Sequence, residues 1–138
     1  MRYMNEALSV EDVKLMTPEQ LANFHERILW GDPEPGEKYY DFETEEVHTL
    51  ISTDGDNDKF ALVYEGGQSP NADKCFPLMT IGNLIDTLSF ENNLEIRNWG
   101  GGWFVIFEGT IWETEERNGL PRLLFDALRH KLTEGVYL

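Results

Sequence analysis

Residues 80–132 read TIGNLIDTLSFENNLEIRNWGGGWFVIFEGTIWETEERNGLPRLLFDALRHKL, and this stretch decides the fold. Thr80 is a helix cap, and Ile81, Leu84, Ile85 and Leu88 recur on one helical face behind it. Leu94 and Ile96 begin a strand. Gly100-Gly101-Gly102 makes a turn, and Trp103 to Phe107 is a second strand of aromatic and branched residues. Residues 110–114 extend the sheet. Asn118-Gly119 breaks it, and Pro121 starts a helix carrying Leu120, Leu123, Leu124, Ala127, Leu128 and Leu132, with Gly135 as its stop. The order helix, strand, strand, helix predicts an α+β fold, an antiparallel sheet with helices over one face.

Working outward, the N-terminal quarter is helical. Thr17-Pro18-Glu19-Gln20 forms a capping box with proline at the first helical position, and Leu21, Phe24, Ile28 and Leu29 follow at helical spacing. Ser9 with Asp12 starts a shorter helix before it. Gly31, Pro33, Pro35 and Gly36 form a loop. Residues 47–52 alternate, residues 60–64 are a second apolar run, and the turn-forming Asp54-Gly55-Asp56-Asn57-Asp58 joins them as a hairpin. Residues 66–73 read as a polar loop. The chain is expected to be a single domain, with a possible two-lobed organisation, 1–66 and 78–138, around that loop.

The αββα order within 80–132 resembles the small ABA-sandwich domains of bacteriophage proteins. It rests on the helix at 81–88, the Trp103-Phe104-Val105 strand after the glycine turn, and the proline-started helix at 120–132. The resemblance implies a phage or prophage origin and no particular activity.

Composition narrows the function classes. The 138 residues are 41% hydrophobic, enough for a core and too many for a disordered chain. Twenty-six acids face eleven bases, a net charge of −15, which argues against direct binding to nucleic acid or anionic membrane. No apolar run reaches 18 residues, and no secretory signal is read before Val10. The single Cys75 excludes an internal disulfide and suits a reducing compartment, so the cytoplasm of a bacterial host is expected.

Chemical motifs are sparse. Asp54, Asp56 and Asp58 have the spacing that opens a calcium loop, with Glu65 at the twelfth position; Lys59 occupies the sixth, where glycine is needed, and a strand pattern follows instead of a helix. An acidic hairpin turn is the simpler reading. His25, His48 and His130 fall in no zinc pattern, and His25 is expected to be solvated. Cys75 beside Lys74 has no assignable base partner and reads as a small buried residue. No catalytic residue, metal site or cofactor is expected.

The charge distribution is the unusual feature. Residues 32–65 hold eleven acids against Lys38 and Lys59, a net charge of −9. A second cluster is Glu113, Glu115 and Glu116. Such acids either keep the protein soluble or form a docking face for a cationic partner. Under the second reading, Asp41, Glu43 and Glu45 on a strand edge would repeat every ~6.6 Å, near the pitch of alternate duplex phosphates. The expected partner-binding residues are therefore Tyr39, Tyr40, Asp41, Phe42, Glu43, Glu45, Glu46, Asp54, Asp56, Asp58, Glu113, Glu115 and Glu116, with the aromatics as anchors. The expected function is phage counter-defence. The protein would inhibit a basic nucleic-acid-handling host enzyme, such as a nuclease of a bacterial defence system, by occluding its nucleic-acid groove, in the manner of anti-CRISPR proteins and DNA mimics. Two alternatives remain open: an immunity protein against a nuclease toxin, and a small ligand- or calcium-binding protein or enzyme with an unrecognised pocket.

Overall fold

A computed structural model describes residues 6–27, 29, 33–54, 61–69, 72–91 and 93–134. The fold is α+β; the described residues form an antiparallel five-stranded sheet, a three-stranded sheet and four α-helices. The chain divides into two compact units, residues 13–78 and residues 1–12 with 79–138.

The second of these contains the stretch quoted first. Helix α3 (Ile81–Glu91) begins with a reciprocal cap: Thr80 N–H donates to Asn83 Oδ1 at 3.1 Å, and Asn83 N–H to Thr80 Oγ1 at 3.2 Å. Its apolar stripe buries Ile81, Leu84 and Leu88. Strands β6 (Leu94–Trp99), β7 (Gly102–Phe107) and β8 (Thr110–Thr114) form an antiparallel meander. Trp99 pairs with Gly102, so Gly100 and Gly101 alone make the turn, with φ of +56° and +96°. Two consecutive positive φ values require glycine or a close substitute, which is why the sequence carries them here. Helix α4 (Leu120–Glu134) packs on α3, β7 and β8 and buries Leu123, Leu124, Phe125, Leu128 and Leu132. Burying each such side chain contributes about 1.5–3 kcal/mol relative to exposure, so this face holds the unit together. Val105 and Phe107, fully buried, alternate with half-exposed Phe104 and Ile106 on β7, so one sheet face lies under the helices and the other is open to a greater degree. Gly135 lies outside the described residues.

The other unit contains helix α2 (Pro18–Glu26) and five strands in the order β4-β3-β2-β1-β5. Both halves of the Thr17–Gln20 capping box form, at 2.9 and 3.1 Å. The shorter helix α1 (Val10–Val13) is capped by Ser9 and Asp12, whose backbone and side-chain atoms bond reciprocally. On α2, Leu21 and Phe24 are buried as their spacing predicts; Ile28 is outside the described residues.

Strands β1 (Lys38–Asp41), β2 (Glu46–Asp54), β3 (Ala61–Tyr64) and β4 (Gly67–Ser69) form a meander, and β5 (Cys75–Pro77) returns antiparallel beside β1. The stretch 66–73, expected as a loop, instead holds β4 and most of a 3-10 turn (Ala72–Lys74). Gly67, at φ +146°, lets Glu65-Gly66 turn tightly, and polar Gln68 and Ser69 then pair with β3 without any alternating apolar signal. The sheet curls on itself: Tyr39 on β1 and Ser69 on β4, three strands away, share a 2.7 Å hydrogen bond between buried hydroxyls. Tyr39, Leu50, Leu62 and Cys75 fill the inside of the curl, with Tyr64 and Ala72 packed against them. Phe24 of α2 covers the other face, 4.6 Å from the Phe76 ring.

Candidate functional site

The aromatic and acidic residues at 39–46 form the β1–β2 hairpin. Register pairs Asp41 with Glu46, leaving Phe42 to Glu45 as a four-residue turn. Asp41 organises it. One carboxylate oxygen accepts the Glu43 N–H at 2.9 Å and the Thr44 N–H at 3.4 Å, while the Asp41 carbonyl accepts the Glu45 N–H at 2.8 Å. Glu45 adopts φ +59°, the left-handed geometry that closes the turn. Phe42 N–H donates to Lys74 carbonyl at 2.9 Å, tying the turn to the segment leading into β5.

This arrangement corrects several expectations. Tyr39, Tyr40 and Asp41 are only 0, 3 and 3% exposed, so they form core and turn, and none is available as an anchor. The cause is tertiary packing: Tyr39 fills the inside of the curl, and Tyr40 sits on the opposite face across from Phe76, the face on which Phe24 of α2 packs. Phe42 is half-buried, its ring edge-on to Tyr40 at 4.9 Å. Glu43, Glu45 and Glu46 are exposed at the tip. Since residues 42–45 are a turn, the ~6.6 Å repeat of a strand does not apply to them.

The remaining acids are elsewhere. Asp54 ends β2, eight residues beyond Glu46, which at strand rise is about 26 Å away. The acids at the two ends of β2 are therefore far apart and not gathered at the hairpin tip. Asp56 and Asp58 lie outside the described residues, and so does most of the calcium-loop pattern. Among the described residues, no group of three or more His, Cys, Asp or Glu is placed to hold a metal ion. Glu113 on β8, with Glu115 and Glu116 after it, is exposed and belongs to the other unit. Glu113 and Glu115 edge a cleft of about 680 Å³ beside Gly100, Gly102, Trp103 and Phe104.

The titratable interior is shaped by burial. Cys75 is fully buried, and its pKa is pushed up to about 12, first by desolvation and then by the charge of Asp41, with Glu43 and Asp73 adding to it. A Ser69 hydrogen bond works against the shift. The thiol is therefore neutral and a poor nucleophile. His25, expected in solvent, is half-buried beside Phe24; its Nε2 donates to the Cys75 carbonyl at 2.7 Å. Burial lowers its pKa, with the Cys75 bond and Asp73 opposing the shift. It lines a cleft of about 470 Å³ with Leu21, Ala22, Glu26, Asp73 and Lys74. His48 is buried and stacked on Tyr64, ring centroids 3.7 Å apart, with its Nε2 3.8 Å from a Glu46 oxygen. His130 packs edge-on to Trp112 at 5.5 Å. The three histidines are thus separate packing elements.

No described helix is long and apolar enough to cross a membrane. The chain matches no protein-family model, no curated protein and no solved structure.

Proposed function

We propose that this protein works by binding, as an inhibitor of a cationic nucleic-acid-handling enzyme of a bacterial host, with no catalysis of its own. The observation that carries the reading is the β1–β2 tip: a buried carboxylate, Asp41, fixes a turn from which Glu43, Glu45 and Glu46 project into solvent. Three negative groups on a pre-formed turn meet a basic groove without first ordering a loop. The overall charge of −15 adds long-range attraction. The target surface is one that receives DNA or guide RNA, and occupying it excludes the nucleic acid, as counter-defence proteins of the anti-CRISPR or DNA-mimic type do.

Magnitudes assign the carboxylates their role. Exposed ion pairs contribute about 0.2–1 kcal/mol each, so three of them supply at most about a hundredfold in affinity. Their larger effect is on encounter rate, which electrostatic steering raises by 10–10³-fold at low salt. The affinity needed for inhibition then comes from contacts beside the tip, where half-buried Phe42 is the nearest aromatic.

The test is affinity capture from bacterial lysate at low and high salt. It compares the native chain with a variant carrying Glu43→Lys, Glu45→Lys and Glu46→Lys. The native chain is expected to retain a nucleic-acid-handling enzyme at low salt, and the variant to lose it. Equal retention of that enzyme by both chains contradicts the assignment of the tip.

A further inference from the structure

We propose that the outer edge of β8 receives an extended, basic segment of the protein partner, which joins the sheet as a fourth strand antiparallel to β8. The inference rests on the reading that this chain binds a cationic protein, and it adds a backbone-directed contact in the unit that does not carry the acidic tip.

The backbone supplies the edge. The β7–β8 loop is two residues, Glu108 and Gly109, at φ +51° and +81°. A two-residue loop with both φ positive closes on a hydrogen-bonded pair, here Phe107 with Thr110. Bonded and unbonded pairs then alternate along an antiparallel ladder. Thr110, Trp112 and Thr114 therefore face β7, and the N–H and C=O groups of Ile111 and Glu113 point away from it. β8 is last in its sheet, and among the described residues no strand pairs with that side. Native proteins blunt such edges with proline, lysine, a bulge or a covering segment. Thr110–Thr114 has no proline or lysine, and its register runs without a shift. Ile111 is 59% exposed, more than any other large apolar side chain among the described residues. Four backbone groups and one isoleucine thus stand ready for a strand.

The side chains select the strand. Ile111 and Glu113 lie opposite Ile106 and Phe104 on β7, so all four share the sheet face away from the helices. Glu113 is exposed there, and Glu115 and Glu116 continue the charge beyond the strand. A second copy of β8 is a poor occupant. Paired antiparallel about Trp112, it sets Glu113 diagonal to Glu113 of the second copy, and two chains of −15 repel as a whole. A segment with a basic residue opposite Glu113 and an apolar residue opposite Ile111 makes both contacts favourable. Along the incoming strand from its N-terminus, antiparallel pairing places them in the order basic, any, apolar. The other end of the sheet lacks this selectivity: on β6, Glu95 and Arg97 pair with each other at 3.1 Å and present no single charge. Main-chain bonds give such an addition its affinity, and alternate side chains its specificity.

The experiment is amide chemical-shift mapping and hydrogen exchange on the full chain. The probes are the capped peptide Thr-Arg-Thr-Ile-Thr, the same peptide with glutamate for arginine, and a version N-methylated at arginine and isoleucine. The last keeps the charge and loses the two donors that would face β8. The arginine peptide is expected to bind with millimolar affinity and to shift residues 110–114. At ten times its Kd it should slow exchange of the Ile111 and Glu113 amides about tenfold. The glutamate peptide should bind about tenfold more weakly, a cross-strand attraction having become a repulsion. The N-methylated peptide should not bind. Glu113→Lys should reverse the order of the arginine and glutamate peptides. Ile111→Pro removes an outward donor and no bond to β7, and should abolish binding. Glu113→Lys alters only an exposed charge, so it carries the test even where the proline variant does not fold. Three results each overturn the edge: no slowing at Ile111 and Glu113, equal binding of the N-methylated peptide, or protection of those amides that grows with protein concentration alone, the mark of self-pairing. Lysate capture tests the tip separately. If the peptides leave β8 silent while capture still depends on Glu43, Glu45 and Glu46, only the edge falls. If β8 takes the arginine peptide but capture ignores the tip, only the tip assignment falls.

Discussion

Replacing Asp41 tests whether one buried carboxylate holds the acidic tip in place. It accepts the Glu43 N–H at 2.9 Å, a well-placed bond, and the Thr44 N–H at 3.4 Å, near the limit of a useful one. A hydrogen bond to a charged acceptor contributes about 1.5–3 kcal/mol net, and the longer one adds little. Asp41→Ala should therefore cost about 2 kcal/mol. Asp41→Asn keeps an oxygen acceptor and loses the charge, so it should cost about 1 kcal/mol. Native-state amide exchange in β1 and β2 reads this unit by itself. At 1.4 kcal/mol per decade, exchange should accelerate about thirtyfold in the alanine variant and about fivefold in the asparagine variant. Alanine exchange within twofold of native, or an asparagine variant as fast as the alanine one, would refute the capping role.

Other consequences concern titration and close packing. The Cys75 pKa is raised above that of the unfolded thiol, so its contribution to stability is whole below pH 9 and is lost as pH rises towards about 12. Cys75→Ala should flatten the alkaline arm of urea unfolding measured against pH. What slope remains belongs partly to Tyr39, whose pKa burial also raises. His25 has the opposite sense: its folded pKa lies below 6.5, so stability is present above that pH and falls as pH drops through and below it. His25→Asn should reduce the acid-side slope in the same assay. Gly102→Ala places a methyl 2.1 Å from the Thr114 carbonyl and should cost about 1–3 kcal/mol, read as a lower urea midpoint for residues 79–138.

Sequence patterning carried the second unit well because its signals are local. The Thr80 cap, the glycine pair at positive φ and the leucine stripe of α4 each act within a few residues of chain. The curled sheet was harder to read. Lys38-Tyr39-Tyr40-Asp41 shows no alternation because β1 is covered on both faces, and β4 and β5 are three residues each. The acidic run misled for a related reason. Counting charges along the chain takes no account of β2, which carries Glu46 and Asp54 to opposite ends of a nine-residue strand, nor of the turn that draws Asp41 inside. The burial of His25 leaves no local signal, because its partner, the Cys75 carbonyl, is fifty residues away.

The central claim is that the acidic tip occupies a nucleic-acid groove, and competition measures it most directly. The captured enzyme is bound to fluorescently labelled duplex DNA or guide RNA, and anisotropy is followed as the protein is added. The account predicts displacement of the nucleic acid, with an inhibition constant that weakens as salt rises and a Glu43→Lys, Glu45→Lys, Glu46→Lys variant that displaces nothing. A stable ternary complex of enzyme, nucleic acid and this protein would contradict it.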